Sequence, residues 1–277
     1  MINEAVILLG GMGTRLLPLT KTIPKEMLPI YDAPAIFLLV EEAYLSGIKK
    51  IIFVITKYNK KIIENFFSNN DYLNIYLKDK PDKQQLLNRI NNIINNMEFK
   101  YVYQTTKGTY GALYSSKKYI KNDNFIVMYG DDLFDSNKPL TKVLIENYKK
   151  KKSMYAIIKE EKIEQLPNGG VVKLDKDNNI IDLVKKDKEH SSCIILGRML
   201  LNKKIFTVKN KVNLRKDGEY YLTYALLLFP NEVRGLKYNG SYFNLGEKTG
   251  YIKASINYAI KNKDEKNNLI KYIKEVI

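Results

Sequence analysis

Short apolar runs alternate with stretches of helical periodicity in the first part of the chain. Residues 4–9 and 51–55 are apolar runs of strand length. Between them, apolar positions over residues 34–47 recur every three or four residues, as on one face of a helix. Gly47 is placed to end that helix. A strand, a helix and a second strand in this order predict a parallel βαβ unit.

The same alternation continues to about residue 150. Helical periodicity returns over residues 58–67 and 110–119, and strand-like runs cover residues 99–104 and 124–129. Residues 71–96 are polar and rich in Asn, with apolar positions at helical spacing, and we interpret them as an insertion over the sheet. These elements predict a doubly wound sheet, in which ligands bind beyond the carboxyl ends of the strands.

The second half of the chain has a more antiparallel pattern. Runs of strand length cover residues 154–158, 170–174 and 180–184, and the last two flank a polar turn, which predicts a hairpin. Two helical patterns, over residues 251–260 and 268–276, end the sequence. The predicted fold class is α/β, a Rossmann-like doubly wound mixed sheet with an additional smaller antiparallel β region and C-terminal helices.

Composition excludes several classes of protein. The 277 residues are 45% hydrophobic and 27% charged, which is typical of a folded globular chain. One Cys and one His exclude an internal disulfide and a His-rich metal site. The apolar runs are far shorter than the roughly 20 residues of a membrane span. We therefore expect a soluble, cytoplasmic protein that does not cross a membrane.

The net charge of +16 indicates an anionic partner. Nucleic acid, anionic lipid and a phosphorylated small substrate all fit that charge. Only five of the 46 basic residues are Arg, whereas proteins that read DNA grooves favour Arg for bidentate base contacts. Nucleic acid is therefore the less favoured partner.

A glycine-rich loop over residues 9–15 follows the first predicted strand. Its sequence, Leu-Gly-Gly-Met-Gly-Thr-Arg, lets backbone amides approach a polyphosphate closely. Three cations, Arg15, Lys21 and Lys25, lie in or just after it. The loop lacks the Gly-Lys-Ser/Thr ending of an ATPase loop and the full spacing of a dinucleotide fingerprint. A purely structural turn is the alternative for the loop taken alone.

The continuation of the loop carries a resemblance to a known family. Residues 21–29 read Lys-Thr-Ile-Pro-Lys-Glu-Met-Leu-Pro. Together with the glycine loop, this resembles the signature of the bacterial UTP–glucose-1-phosphate uridylyltransferases. The resemblance continues through the Asp131-Asp132 pair to Gly-Glu-Lys-Thr-Gly-Tyr at residues 246–251. It covers nearly the whole chain and is strongest in the first 60 residues.

The resemblance implies a reaction and a metal. An oxygen of glucose 1-phosphate, or of a related sugar 1-phosphate, attacks the α-phosphorus of UTP and releases pyrophosphate, with Mg²⁺ as cofactor. This chemistry depends on positioning and charge neutralisation and needs no covalent intermediate. By resemblance, Arg15 and Lys25 are catalytic and neutralise the phosphates, and Asp131 is catalytic and binds Mg²⁺. The alternative for Asp131 is a turn carboxylate at a strand end.

The resemblance also assigns binding residues and an organisation. One domain over residues 1–277 would have a nucleotide-binding half, 1–150, and a half with the sugar site and C-terminal helices, 151–277. A homo-oligomer, dimer or tetramer, is expected. The implied nucleotide-binding residues are Leu9, Gly10, Gly11, Gly13, Gln104 and Gly108, and the implied sugar-binding residues are Gly170, Lys186 and Glu219.

Several positions depart from the family pattern. Lys185 stands where the family has the glutamate of its sugar motif, and Tyr221 and Tyr224 replace Gln and Asp. Asn244 stands where the family has the second aspartate of the Mg²⁺ site, so one negative charge is missing. Two hypotheses remain open at this point: an enzyme that forms UDP-glucose or a related UDP-sugar, and a weak or silent paralogue that binds nucleotide and regulates or pairs with an active homologue.

Overall fold

A computed structural model describes residues 1–161, 171–184 and 193–276. Its strands are β1 Glu4–Leu8, β2 Pro29–Ile30, β3 Ala33–Pro34, β4 Lys50–Ile55, β5 Glu98–Tyr103, β6 Asn124–Tyr129, β7 Asp132–Asp135, β8 Met154–Glu160, β9 Val171–Leu174, β10 Ile180–Val184, β11 Cys193–Asn202, β12 Val233–Lys237 and β13 Ser241–Asn244. Its α-helices are α1 Ala35–Leu45, α2 Lys60–Phe66, α3 Asp71–Tyr76, α4 Pro81–Asn96, α5 Thr109–Ser115, α6 Leu140–Lys150, α7 Leu222–Leu226, α8 Lys248–Ala259 and α9 Lys263–Val276.

One mixed sheet organises the described residues. Its strand order is β10-β9-β11-β6-β1-β4-β5, with β8 beside β11 and β12 beside β8. Strands β6, β1, β4 and β5 are parallel, and β11 joins them antiparallel to β6. The predicted doubly wound mixed sheet is confirmed. The antiparallel strands of the second half extend this same sheet, and β7 with β13 and β2 with β3 form small separate antiparallel pairs.

Helices on both faces bury the central parallel strands β1, β4 and β6. All five residues of β1 are buried, and successive side chains point to opposite faces. Ile7 belongs to the core cluster that includes residues of α1 and α2, whereas Val6 and Leu8 belong to the cluster that includes residues of α5 and α7. Full burial of such a side chain contributes about 1.5–3 kcal/mol. This explains why nearly continuous apolar runs mark these strands.

The predicted Asn-rich insertion is helical. It forms α3 and α4, and Ile93 of α4 is buried in the core. Arg89 of α4 lies 2.7 Å from a carboxylate oxygen of Glu41 in α1. The insertion therefore packs against α1.

One predicted helix is shorter than expected. The pattern over residues 110–119 predicts a single helix, but α5 ends at Ser115 and a 3-10 turn follows over Lys117–Tyr119. The hydroxyls of Ser115 and Ser116 donate to the backbone carbonyls of Gly111 and Leu113. Side-chain hydroxyls that compete for backbone acceptors disfavour continuation of a helix.

Other boundaries move by a few residues. Helix α1 ends as predicted, and Gly47 follows it with a φ of 88°, a conformation that glycine adopts without strain. The C-terminal helices begin earlier than predicted, at Lys248 and Lys263. In the part of the chain that is described, no helix has the length and apolar character to cross a membrane.

The pair of β7 and β13 brings the C-terminal third to the carboxyl ends of the central strands. Asn244 lies directly opposite Asp132 in this pair. The amide of Leu245 then donates to the carbonyl of Asp131 at 2.7 Å. Residues 131 and 244, which are far apart in sequence, are thereby fixed side by side.

Candidate active site

A cavity of about 480 Å³ opens at the carboxyl ends of β1 and β6, where doubly wound sheets bind ligands. Its walls come from the glycine loop, the loop after β5, the end of β6 and residues 217–219. The lining residues are Leu8, Gly10, Gly11, Met12, Lys25, Gln104, Lys107, Gly108, Thr109, Ala112, Tyr129, Asp131, Asp217 and Glu219.

Gly10 and Gly11 are required because other side chains lie too close to the loop backbone to leave room for a Cβ atom. A Cβ on Gly10 would overlap Oε1 of Gln104, and a Cβ on Gly11 would lie 3.0 Å from Nζ of Lys25. Gly13 has a φ of 65°, and its carbonyl accepts a hydrogen bond from the Thr20 hydroxyl at 2.7 Å. The backbone of the loop therefore lies directly against the amide and the ammonium predicted to serve the nucleotide.

Lys25 and Asp131 form an ion pair in this cavity. Nζ of Lys25 lies 2.5 Å from Oδ2 of Asp131. Burial lowers the pKa of Lys25, but the carboxylates of Asp131 and Glu26 outweigh it and raise that pKa above its ordinary value. The ammonium is therefore charged at neutral pH and stands beside the glycine loop.

Glu26 is a buried carboxyl group that sequence reasoning missed. Only 1% of it is exposed, and neither carboxylate oxygen has a hydrogen-bond partner among the described residues. Burial raises the pKa of Glu26 to about 7, although the neighbouring charge of Lys25 opposes this shift. Glu26 is the buried neighbour of the catalytic candidate Lys25. In the sequence, only its position inside the long matched motif distinguishes it from other glutamates.

The two adjacent aspartates have different surroundings. Asp131 faces the cavity, whereas Asp132 is buried and accepts hydrogen bonds from the Gly197 amide at 2.7 Å and the Tyr242 hydroxyl at 2.9 Å. Burial, followed by the charge of Asp131, raises the pKa of Asp132. Asp131 is thus the one that can meet a ligand, and Asp132 holds strands together.

Asn244 shares its surroundings with Asp131. A Cβ on Gly246 would lie 3.0 Å from Oδ1 of Asn244 and 3.3 Å from Oδ2 of Asp131, so both oxygens face the same glycine. Oδ1 of Asn244 also accepts a hydrogen bond from the Gly246 amide at 2.9 Å. The structure therefore brings together the two residues predicted to hold the metal.

The oxygen atoms of Asp131 and Asn244 suit a hard divalent cation. No group of three or more His, Cys, Asp or Glu side chains placed to hold a metal occurs among the described residues. A site with one carboxylate and one amide oxygen leaves most ligand positions to phosphate oxygens and water. That is how Mg²⁺ is commonly bound beside nucleotides. The residues present fit this ion.

Arg15 lies at the edge of the site. Its side chain is 72% exposed and its Nη1 atom is 3.3 Å from Oε1 of Glu247. Nδ2 of Asn244 lies 3.5 Å from the same carboxylate oxygen. Arg15 does not line the cavity, and its phosphate-binding role stays a prediction.

The side chain of Leu9, a predicted nucleotide-binding residue, does not face the cavity. It is fully buried in the core on the α1 face of the sheet, and Leu8 lines the cavity instead. Alternation along the strand is the reason, because neighbouring residues point to opposite faces. The backbone carbonyl of Leu9 is also occupied, since it accepts a hydrogen bond from Asn59 at 2.7 Å.

The loop after β5 closes one wall of the cavity. Gly108 has a φ of 84°, and a Cβ there would collide with the backbone of Tyr220. The amide of Tyr220 donates to the carbonyl of Lys107, and the amide of Tyr110 donates to the carbonyl of Tyr220 at 2.8 Å. These bonds join the predicted base-binding loop to the segment that carries Glu219.

The predicted sugar residues are only partly described. Glu219 lines the cavity, whereas Gly170, Lys185 and Lys186 lie outside the described residues. Beside Glu219, the hydroxyl of Tyr221 donates to a carboxylate oxygen of Asp217 at 2.9 Å.

The substituted tyrosine at 224 is also engaged. Nη1 of Arg215 donates to the hydroxyl of Tyr224 at 2.7 Å. Besides Leu8, sequence reasoning missed six lining residues, all within a few positions of predicted site residues: Met12, Lys107, Thr109, Ala112, Tyr129 and Asp217.

Comparisons with known proteins cover nearly the whole chain. A model of the nucleotidyl transferase family matches residues 4–267. UTP--glucose-1-phosphate uridylyltransferase 2 of Staphylococcus saprophyticus is 34% identical over an alignment of 285 positions, which covers 99% of this chain and 98% of the relative. The UTP--glucose-1-phosphate uridylyltransferase of Staphylococcus haemolyticus is also 34% identical, with the same coverage.

Solved structures give the same similarity. A UDP-glucose pyrophosphorylase complexed with UDP-glucose is 31% identical, has a TM-score of 0.83, and is matched over 95% of this chain and 100% of that one. The UTP-bound UGPase from Acinetobacter baumannii is 27% identical with a TM-score of 0.87 and full coverage of both chains.

Proposed function

Because the chain belongs to the nucleotidyl transferase family, we propose that its cavity joins UTP to glucose 1-phosphate and releases UDP-glucose and pyrophosphate. The chain is a nucleotidyltransferase similar to the UTP–glucose-1-phosphate uridylyltransferases. A silent paralogue is not favoured. The observation that carries the proposal is the ion pair of Lys25 and Asp131 beside the glycine loop.

The nucleotide would bind between the glycine loop and the loop after β5. We assign the phosphates to the backbone of Gly10 and Gly11 and to the ammonium of Lys25, because these groups lie together in the cavity. We assign the uracil to Gln104 and Gly108, since an amide side chain offers both a donor and an acceptor to a pyrimidine edge. Nε2 of Gln104 donates to the Thr106 carbonyl at 2.8 Å, which fixes the orientation of that amide.

The reaction needs no protein nucleophile. An anionic oxygen of the sugar phosphate forms a bond to the α-phosphorus of UTP, and the bond from that phosphorus to the oxygen bridging to the β-phosphorus breaks. Pyrophosphate leaves with the electron pair. Lys25 neutralises the charge that shifts to the leaving group, and Arg15 attracts the outer phosphates. Positioning and neutralisation of this kind are the main sources of catalysis in phosphoryl and nucleotidyl transfer.

A divalent metal ion is expected for this family, and we assign Mg²⁺ to Asp131 and Asn244. When bound, the ion would neutralise and orient phosphate oxygens. The sugar is assigned to Glu219, Gly170 and Lys186. A carboxylate such as Glu219 can accept hydrogen bonds from sugar hydroxyls, and a lysine can reach the sugar phosphate.

The proposed organisation is a single domain over residues 1–277. Nucleotide-binding residues would come from 1–150 and the sugar site and C-terminal helices from 151–277. Strands from both halves share one sheet, which supports a single unit. A cytoplasmic homo-oligomer, dimer or tetramer, stays a prediction.

Pyrophosphate release over a panel of nucleoside triphosphates and sugar 1-phosphates tests the proposal. We expect the highest kcat/KM with UTP and glucose 1-phosphate, and a requirement for Mg²⁺. A different preferred pair would correct the substrate. UTP binding without turnover of any pair would favour the silent paralogue instead.

A further inference from the structure

A fully buried arginine lies behind the proposed metal carboxylate. Arg198 belongs to β11 and is 0% exposed, and its guanidinium lies 4.9 Å from the centre of the Phe134 ring. Every nitrogen of this guanidinium has an acceptor. Two of them, Nε and Nη2, donate to the carboxylate of Glu42 in α1 at 3.0–3.2 Å.

The other bonds of Arg198 go to backbone carbonyls. Nη1 donates to the carbonyl of Gly197 at 2.9 Å, and Nη2 donates to the carbonyl of Asp132 at 3.0 Å. Nη1 also makes a longer contact, 3.5 Å, with the carbonyl oxygen of Tyr129. The preceding residue adds a third attachment, because the amide of Gly197 donates to the Asp132 carboxylate. Arg198 and Gly197 therefore attach β11 firmly to Asp132, and the longer contact of Arg198 with Tyr129 reaches the other end of the short connection between β6 and β7 that carries Asp131.

The Arg198–Glu42 pair is itself held in place. Glu42 also accepts hydrogen bonds from the amide and the hydroxyl of Thr141, at 3.1 and 2.7 Å. A buried ion pair is a weak source of stability, since apolar side chains of the same volume often do as well. Unlike an apolar side chain, however, the guanidinium donates hydrogen bonds in fixed directions to backbone carbonyls. The arrangement therefore specifies geometry at the β6–β7 connection.

We propose that Arg198 is a positioning residue for Asp131. By fixing the backbone before and after Asp131, it directs that carboxylate into the cavity, towards Lys25 and beside Asn244. The inference rests on the proposed function, because it acts through the metal ligand of that reaction. Arg198 itself touches no substrate, being fully buried.

Arg198→Lys tests this role. Lysine keeps a charge for Glu42, but one ammonium group cannot reach Glu42 and both carbonyls together. Calorimetric titrations with UTP in Mg²⁺ and in EDTA give the factor by which Mg²⁺ tightens UTP binding. We expect this factor to be about tenfold smaller in Arg198→Lys than in the wild type. The affinity in EDTA should stay within about twofold, because the groups assigned to the phosphates do not contact Arg198. The Mg²⁺ concentration for half-maximal rate should rise more than kcat falls.

Thr141→Val is the matched control. It removes a hydroxyl donor from Glu42 but leaves every bond of Arg198, so its Mg²⁺ dependence should match the wild type. Glu42→Gln is the second test variant, because it removes the charged partner of Arg198 but keeps a hydrogen-bond acceptor. We expect it to reduce the Mg²⁺-dependent tightening of UTP binding, but less than Arg198→Lys does. Thermal unfolding of each variant shows whether the fold is retained.

Three results would overturn the inference. The first is a folded Arg198→Lys protein with the wild-type response to Mg²⁺. The second is an equal loss of UTP affinity with and without Mg²⁺. The third is loss of folding in both Arg198→Lys and Glu42→Gln, which would show that the pair maintains the whole fold. A wild type that neither releases pyrophosphate nor responds to Mg²⁺ would instead contradict the proposed function.

Discussion

Nζ of Lys25 lies 2.5 Å from Oδ2 of Asp131, across 106 positions of sequence. The cation assigned to the phosphates and the carboxylate assigned to the metal are thus partners of one ion pair. UTP would compete with Asp131 for the ammonium, and the metal ion would compete with Lys25 for the carboxylate. Binding of both together can replace this pair without leaving either charge alone in a partly buried site.

Removal of the Lys25 ammonium should slow the reaction strongly. We expect Lys25→Ala to lower kcat by about 10²–10³-fold, the usual loss when one preorganised electrostatic group is removed. Lys21→Ala is the matched control, because Lys21 is an exposed cation of the same loop region that does not line the cavity. Steady-state pyrophosphate release measures both. Equal losses in the two variants would mean that general positive charge, and not the position of Lys25, matters.

Arg15 and Glu247 give a second prediction, on binding. A hydrogen bond to a charged group is worth about 1.5–3 kcal/mol, so Arg15→Ala should weaken UTP binding roughly tenfold or more. Glu247→Gln should have the opposite effect, because it removes the carboxylate that pairs with Arg15. We expect UTP to bind a few-fold more tightly at most, since exposed ion pairs contribute about 0–1 kcal/mol. Calorimetric titration with UTP measures both. Unchanged affinity in Arg15→Ala would remove Arg15 from the site.

Glu26 predicts a pH dependence of stability. Its pKa in the folded protein, about 7, lies above the ordinary value of 4.5, so the folded state binds more protons between these two values. Stability should therefore fall as pH rises from about 4.5 to about 7. Glu26→Gln removes the ionisable group, and its melting temperature should decline less over this range.

Asp132 gives a second test of this pH effect. Burial also raises its pKa, so Asp132→Asn should flatten the same pH range, and the double variant should flatten it most. Calorimetric or spectroscopic melting temperatures at several pH values are sufficient. A Glu26→Gln protein with the wild-type pH profile would show that this carboxyl group does not titrate as its burial implies.

Local patterns in the sequence were enough for much of the fold. The apolar runs predicted β1, β4 and β6, because strands buried on both faces need apolar side chains at nearly every position. Strand β5 lies at the edge of the sheet and is only partly buried, and its apolar residues alternate with polar ones. Gly47 marked the end of α1 through a backbone conformation that glycine favours. Lys25 and Asp131 were predicted from motifs, and the structure brings them together.

The parts that sequence reasoning missed depend on contacts between distant segments. Leu8 and Leu9 are equally apolar, and only the side of the sheet on which the cavity opens distinguishes them. Glu26 and Arg198 carry charges that are typical of surface positions, yet both are buried. No local pattern predicts that Arg198 pairs with Glu42, because the pair forms only when β11 and α1 pack together.

Asn244 gives the sharpest prediction, because one charge separates it from the aspartate of the family pattern. Asn244→Asp keeps an oxygen in place to accept the Gly246 amide and loses the Nδ2 donor directed at Glu247. It places a second carboxylate beside Asp131, so without metal the like charges should lower the melting temperature. With Mg²⁺ that loss should disappear, because the ion neutralises the added charge.

The same substitution should change how the rate depends on Mg²⁺. We expect metal affinity to rise about tenfold or more, by analogy with the roughly 1.5–3 kcal/mol of a hydrogen bond to a charged group. The gain in rate should be largest at low Mg²⁺ and small at saturation, since the added charge acts mainly by attracting the ion. Asn262→Asp is the matched control, because it adds the same charge at the start of α9, outside the proposed metal site. A wild type with strong turnover that Asn244→Asp leaves unchanged or slows at every Mg²⁺ concentration would show that Asn244 is not a metal ligand, and the metal would then have to be held by Asp131 and the substrates.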